Sequence, residues 1–245
     1  MSFSETAKKL LSRKKKPPVF SAVILAAGNS TRMGQDKVEL RIGGEPVLVH
    51  TVRAFESSEL VNEIVLVTRE DRVQELADQV KEYGFAKVRA VIAGGKTRAE
   101  SSLAGVMAVS KKAKLISIHD CARPFVTEKL IRETACAARD FYAAVPVVPV
   151  TDTMKFRSGE YLGDTVDRDA LCAIQTPQIF HADLIKGALT YVVKNRLSVT
   201  DDSSAASYLG FRTRMVEGDR DNIKLTTPDD IAFAEAIMKN RGETV

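Results

Sequence analysis

Apolar residues in this chain fall into short unbroken runs separated by amphipathic stretches. The first run, Phe20 to Ala27, stops at Gly28-Asn29-Ser30, the pattern of a buried strand entering a loop. Further strand-like runs occupy 63–68, 88–92, 114–119 and 143–150, and helical spacing covers about 46–57, 71–83, 98–110 and 127–139. Strand–helix alternation with continuously apolar strands predicts an α/β fold. The expected form is a single Rossmann-like domain over 19–245, its mostly parallel sheet covered by helices on both faces. Ligands of such sheets bind beyond the carboxyl ends of the strands.

Residues of about 151–168 break the rhythm. Thr151 to Phe156 and Tyr161 to Asp167 flank Arg157-Ser158-Gly159-Glu160, which predicts a polar β-hairpin projecting as an arm. The core pattern resumes at 171–176, with a helix near 181–195 and a strand near 213–217. A last helix is expected from about Pro228, capped by Thr227. No internal repeat is visible.

Composition narrows the function classes. With 44% hydrophobic and 28% charged residues the chain reads as an ordinary globular protein, and without Trp it lacks the stacking platforms of single-strand binders. The net charge of +4 is unevenly placed: residues 1–18 carry six basic side chains and one acidic one, leaving the rest near −1. The basic excess therefore reads as a solvated N-terminal extension and not as a nucleic-acid surface. Three scattered cysteines, Cys121, Cys136 and Cys172, suit a reducing compartment and argue against a disulfide frame or a zinc site. No apolar run is long enough to span a membrane and no secretory signal is present, so the expected location is the cytoplasm.

Candidate chemistry gathers at strand ends. Leu25 to Gly28 is small-residue backbone that can approach a flat or anionic ligand, and Arg32 and Lys37 follow as two cations suited to a triphosphate. Gly28 to Gly34 lacks G-x-G-x-x-G spacing. Gly95-Lys96-Thr97 resembles the end of a P-loop, but Ala90 stands where the first glycine is required. His119-Asp120-Cys121-Ala122-Arg123-Pro124 follows a buried strand. Asp120 there, and Asp221 further on, are placed as Mg²⁺ carboxylates, and each reads equally well alone as a cap or an ion-pair partner. An imidazole in the position of His119 is more often a packing residue than a catalyst.

The ordered set of these motifs resembles one family. The first loop, Gly94-Gly95 with Arg98 and Ser101, His119 to Pro124, Asp152 to Lys155, Thr165 to Arg168, Thr176-Pro177-Gln178, Thr200-Asp201 and Asp221 to Lys224 occur in one order across about 20–240. Together they resemble the 2-C-methyl-D-erythritol 4-phosphate cytidylyltransferases of the non-mevalonate isoprenoid route. The resemblance implies a single-domain nucleotidyltransferase that uses CTP, Mg²⁺ and a small sugar-alcohol phosphate. It also implies a homodimer in which each hairpin arm reaches over the partner.

By the same resemblance Ala26, Ala27, Gly28, Gly95 and Ser101 hold the nucleotide, and Asp120 and Asp221 hold the metal. Arg32, Lys37, Arg168 and Lys224 are the catalytic set. Arg123, Thr153, Arg168, Thr200 and Lys224 meet the acceptor, Thr153 and Arg168 coming from the partner's arm. The chain departs from the family pattern in a shorter nucleotide loop, in Val38 and Cys121, and in Lys96 after the two glycines. A ribitol-5-phosphate cytidylyltransferase is the nearest rival, and Val166-Asp167-Arg168 favours the methylerythritol enzyme. From another class, a non-catalytic nucleotide sensor is the alternative.

Overall fold

A computed structural model describes residues 16–28 and 40–242. The basic extension over 1–18, apart from Lys16 to Pro18, lies outside the described residues, as do Arg32 and Lys37.

Strand β1, Phe20–Leu25, opens the sheet. A small β2–β3 pair, Arg41–Ile42 and Glu45–Pro46, leads into α1, Val47–Ser57. Three further strand–helix units follow: β4 (Val61–Thr68) with α2 (Val73–Glu82), β5 (Val88–Ala93) with α3 (Arg98–Ala108), and β6 (Leu115–Asp120) with α4 (Glu128–Phe141). Next come β7 (Ala143–Pro149), the hairpin β8–β9 (Lys155–Ser158 and Tyr161–Thr165), β10 (Cys172–Ile174) and β11 (Gln178–His181). The chain ends through α5 (Ala182–Lys194), α6 (Asp202–Tyr208), β12 (Arg214–Glu217) and α7 (Asp230–Asn240).

The main sheet runs β10-β7-β11-β6-β1-β4-β5, with β12 pairing β7. Strands β6, β1, β4 and β5 are parallel, and β12 runs parallel to β7. Strand β11 is antiparallel to both β6 and β7, and β10 is antiparallel to β7, which makes the expected mostly parallel sheet a mixed one at this end.

Burial on both faces explains the continuous apolar runs. In β1, Ala22 and Ile24 pack against α1 and α4 (Leu48, Phe55, Leu130, Ile131), whereas Val23 packs on the opposite side with Val106 of α3 and Ile185 and Leu189 of α5. Residues Ala22, Val23 and Ile24 of β1 thus face helix on one side or the other, and none of the three is left for water. Gly105 lets α3 lie close to the sheet: a Cβ there would stand 2.3 Å from Val23 Cγ1. A third apolar cluster ties Leu40, Ile42 and Phe125 to Leu225 and to Ala234 and Met238 of α7.

Two expectations need correction. The last helix does not start at Pro228 under a Thr227 cap. Its first residue is Asp230 and its N-cap position, Asp229, makes no side-chain cap; the Asp230 carboxylate instead reaches back to the N–H groups of Thr226 (2.6 Å) and Thr227 (2.8 Å) in the segment that enters the helix. The hairpin forms where expected, but it carries exposed apolar side chains among its polar ones. Phe156, Tyr161 and Leu162 stand 64, 80 and 78% exposed on it, beside Met154. Among the described residues no helix is long and apolar enough to cross a membrane.

Candidate active site

The carboxyl ends of β1 and β6 lie side by side, Leu25 paired with Asp120. Beyond β1 the chain runs on as Ala26-Ala27-Gly28, and beyond β6 as Cys121-Ala122. Backbone bonds hold both exits to their neighbours: Ala26 N donates to Val67 O (2.7 Å) and Cys121 N to Leu25 O (3.0 Å). Between them opens a cleft of about 310 Å³. Ala26, Ala27 and Gly28 form one wall and Gly95 and Ser101 another, while Asp120 and Lys224 also line the cleft.

The Gly95 wall is fixed by how α3 begins. Thr97 and Glu100 form a capping box, in which Thr97 Oγ1 accepts from Glu100 N and the Glu100 carboxylate accepts from Thr97 N. The same carboxylate takes Lys96 N at 2.6 Å, and Ser101 Oγ takes Gly95 N at 3.1 Å. The turn leaves no space for a side chain at Gly95, where a Cβ would lie 2.2 Å from Glu100 Cβ.

Asp120 is the electrostatic centre. Its Oδ1 meets Arg98 Nη2 at 3.2 Å and its Oδ2 meets Lys224 Nζ at 2.7 Å. Burial opposes its charge, but Arg98, Lys224 and Arg123 outweigh burial and hold the carboxyl well below the usual carboxylate range. Arg98 is raised in turn: burial works against its charge and is overcome by Asp202 and Asp120. Its Nη1 lies 2.7 Å from Oδ2 of Asp202, which is 1% exposed. Burial pushes the Asp202 carboxyl up despite that arginine.

Beneath Asp120, His119 is wholly buried. Its Nε2 meets Arg123 O at 3.1 Å and its Nδ1 meets Thr176 Oγ1 at 3.0 Å, while that same hydroxyl oxygen accepts Asp120 N. Burial brings the His119 pKa down to about 4, so the ring is neutral near pH 7 and serves packing.

The remaining described candidates, Arg123, Asp221, Thr200, Thr153 and Arg168, are not among the residues that line the cleft. Arg123 is tied to Asn222 O (2.7 Å) and Ile174 O (3.4 Å). Asp221 sits on the loop after β12, with Arg241 Nη2 3.7 Å away. Thr200 is exposed just before α6, where Asp201 caps the helix through Ser204 N and takes the hydroxyls of Ser203 and Ser204. Thr153 and Arg168 are exposed on the arm and do not line their own chain's cleft; Arg168 donates to Thr151 O at 3.1 Å.

Some structural contributors were not singled out from sequence. Gln175 binds Asp219 from both amide atoms, donating to its O at 2.7 Å and accepting its N at 3.1 Å, and Asn222 Nδ2 donates to Thr176 O at 2.9 Å. These bonds pin the loop that delivers Lys224. No local pattern points to them. Asp202 is equally silent, since its partner Arg98 lies on a distant helix.

The fold is that of an α/β nucleotidyltransferase. Residues 20–240 match the family model described as 2-C-methyl-D-erythritol 4-phosphate cytidylyltransferase. The chain belongs to that family. It is 41% identical over 224 residues to the enzyme so named from Halalkalibacterium halodurans, covering 91% of this chain and 98% of the relative. It is 40% identical to the one from Caldanaerobacter subterraneus, covering 89% and 98%. The solved 4-diphosphocytidyl-2C-methyl-D-erythritol synthase of Anaerococcus prevotii superposes with a TM-score of 0.80 at 32% identity, over 91% of this chain and 97% of that one. The Thermus thermophilus cytidylyltransferase gives 0.75 at 33% identity, over 89% and 98%.

Proposed function

We propose that the chain transfers the cytidylyl group of CTP to 2-C-methyl-D-erythritol 4-phosphate, yielding 4-diphosphocytidyl-2-C-methyl-D-erythritol and pyrophosphate. Family membership supports the reaction, and one observation in the molecule carries it. A firmly ionised Asp120 faces a cleft walled by small residues, with a cation at each oxygen.

An oxygen of the acceptor's phosphate monoester attacks the α-phosphorus of CTP. The bond from that phosphorus to the bridging oxygen breaks, and pyrophosphate leaves with the electron pair. A phosphate monoester has its second pKa near ~6 and is largely dianionic at pH 7, so no protein base is needed. A neutral, buried His119 suits that chemistry. The difficulty is bringing two anions together, so catalysis consists of positioning and charge compensation. The walls at Ala26 to Gly28 and at Gly95 and Ser101 would seat the nucleotide. Lys224, with Arg32 and Lys37, would offset charge on the phosphates. Arg123 and Thr200 would meet the acceptor.

Asp120 and Asp221 would hold Mg²⁺, a hard cation that takes one or two carboxylates and completes its shell with substrate phosphates. The chemistry of Asp120 suits that habit, since its carboxyl stays ionised at the edge of the cleft. Bound there, the metal would supply charge neutralisation at the triphosphate.

The reading includes a homodimer in the cytoplasm. The exposed apolar side chains of Met154, Phe156, Tyr161 and Leu162 give the arm a surface for a second copy, whose cleft would receive Thr153 and Arg168. Three free cysteines suit a reducing compartment. The test is pyrophosphate release from CTP with each acceptor. Release with 2-C-methyl-D-erythritol 4-phosphate is expected; release only with ribitol 5-phosphate would overturn the acceptor, and none with either would overturn the reaction.

A further inference from the structure

Asp202 is a buried carboxylate beside the cleft that no step of the transfer uses. It is the first residue of α6, and Arg98 is the first residue of α3. An arginine at the first turn of a helix meets the positive end of the helix dipole, and its partial burial costs hydration. Two carboxylates compensate. Nη1 reaches Asp202 Oδ2 at 2.7 Å and Nη2 reaches Asp120 Oδ1 at 3.2 Å, so a single guanidinium bridges the pair.

The bridge makes the two oxygens of Asp120 unequal. Oδ1 is held by an arginine that is anchored from behind. Oδ2 is held by Lys224, a flexible side chain 40% exposed at the cleft. We propose that Asp202 is a positioning residue for cytidylyl transfer: it anchors the Arg98 guanidinium so that Asp120 is fixed through one oxygen and presents the other to the cleft. Without Asp202, Arg98 is free to turn both arms of its fork onto Asp120, the favoured bidentate geometry, and would draw the carboxylate away from Lys224 and the cleft. This rests on the cleft being the site of cytidylyl transfer.

The test is a double-mutant cycle on the full-length protein with CTP and 2-C-methyl-D-erythritol 4-phosphate. Wild-type turnover is the reference, and its absence would refute the reaction itself and not the role of Asp202. Asp202→Asn should lower kcat by ~10-fold or more while KM for CTP stays within about threefold, because the bonds that fix the backbone from Gly95 to Thr97 do not involve Asp202. Adding Asp202→Asn to Arg98→Met should cost no more than about twofold beyond Arg98→Met alone, since a residue acting through Arg98 has nothing left to act on. Wild-type kcat in Asp202→Asn, or losses that multiply in the double variant, would overturn the proposal. Should Asp202→Asn alone fail to fold, Asp202→Leu in the Arg98→Met background leaves no unpaired charge buried. An unchanged kcat on that background supports the role, and a further loss overturns it.

Discussion

Lys224 Nζ and Asp120 Oδ2 meet at 2.7 Å although 104 positions separate them in the chain. The contact joins the end of a central strand to the loop after the edge strand β12. Cutting it should cost chemistry more than folding. Lys224→Ala is expected to lower kcat ~100-fold, about 3 kcal/mol of transition-state stabilisation. The partly exposed pair should contribute little to the melting temperature. Steady-state kinetics with a melting curve checks both, and near-normal kcat in a folded variant would remove Lys224 from the catalytic set.

Gly95→Ala should act on the nucleotide. The new Cβ would meet Glu100, which holds the backbone of Lys96 and Thr97, so the turn must open. KM for CTP should rise ~10-fold or more, and a damaged cap should cost on the order of 1 kcal/mol of stability. A CTP titration in which the variant matches wild type would exclude Gly95 from the binding wall.

Stability should fall as pH drops from about 6.5 toward 4. His119 has its pKa brought down by burial to about 4, against 6.5 in the unfolded chain. Above 6.5 both states are neutral and the group contributes nothing. Between the two values the unfolded chain binds the proton first, so unfolding is favoured, by roughly 3 kcal/mol once pH reaches the lower value. Denaturant titrations at pH 7 and pH 5 measure the change. His119→Gln should flatten it, and an unchanged slope in that variant would place the effect elsewhere.

Gln175→Ala should lower kcat through the loop that it clasps. Losing the paired bonds to Asp219 loosens the approach of Lys224, and ~10-fold is the expected scale. Combined with Lys224→Ala it should add little. Fully multiplicative losses would show that the clasp works by another route.

Shared sites would show in mixtures. Arg168→Ala and Lys224→Ala proteins, each inactive alone, should regain activity as subunits exchange, because Lys224 meets Asp120 of its own chain while Arg168 stands on the arm. At full exchange half the dimers are mixed and each has one intact site, so recovery should approach about a quarter of the wild-type rate. No recovery despite proven exchange would assign Arg168 to its own chain.

Much of this was legible in the chain because parallel strands buried on both faces leave unbroken apolar runs, as Ala22, Val23 and Ile24 do. The strand ends at Leu25 and Asp120 fall within two residues of where those runs stop. What escaped depends on contacts between distant segments. Nothing local to Asp202 announces Arg98, and nothing near Gln175 announces Asp219. In the arm, Phe156, Tyr161 and Leu162 stand among charged neighbours, and sequence alone does not tell that all three are exposed. The start of α7 lies two residues beyond Pro228, although Thr227 and Pro228 carry a start signal. The start of α3 was open to a sharper reading, since Thr97 and Glu100 stand at capping-box spacing.

Leu25 and Asp120 are partners in register, and the consequence is one of tolerance to change in length. Side chains alternate along a strand, so a single inserted residue upstream in β6 would turn His119 and Asp120 each to the opposite face. A neutral ring would then face the cleft and a carboxylate the core. Insertions beyond Gly28 or Ala122 shift no strand residue. The sheet therefore acts as a reading frame for the chemistry: residues 20–25 and 115–120 must keep their count, while the segments beyond them are free of that constraint.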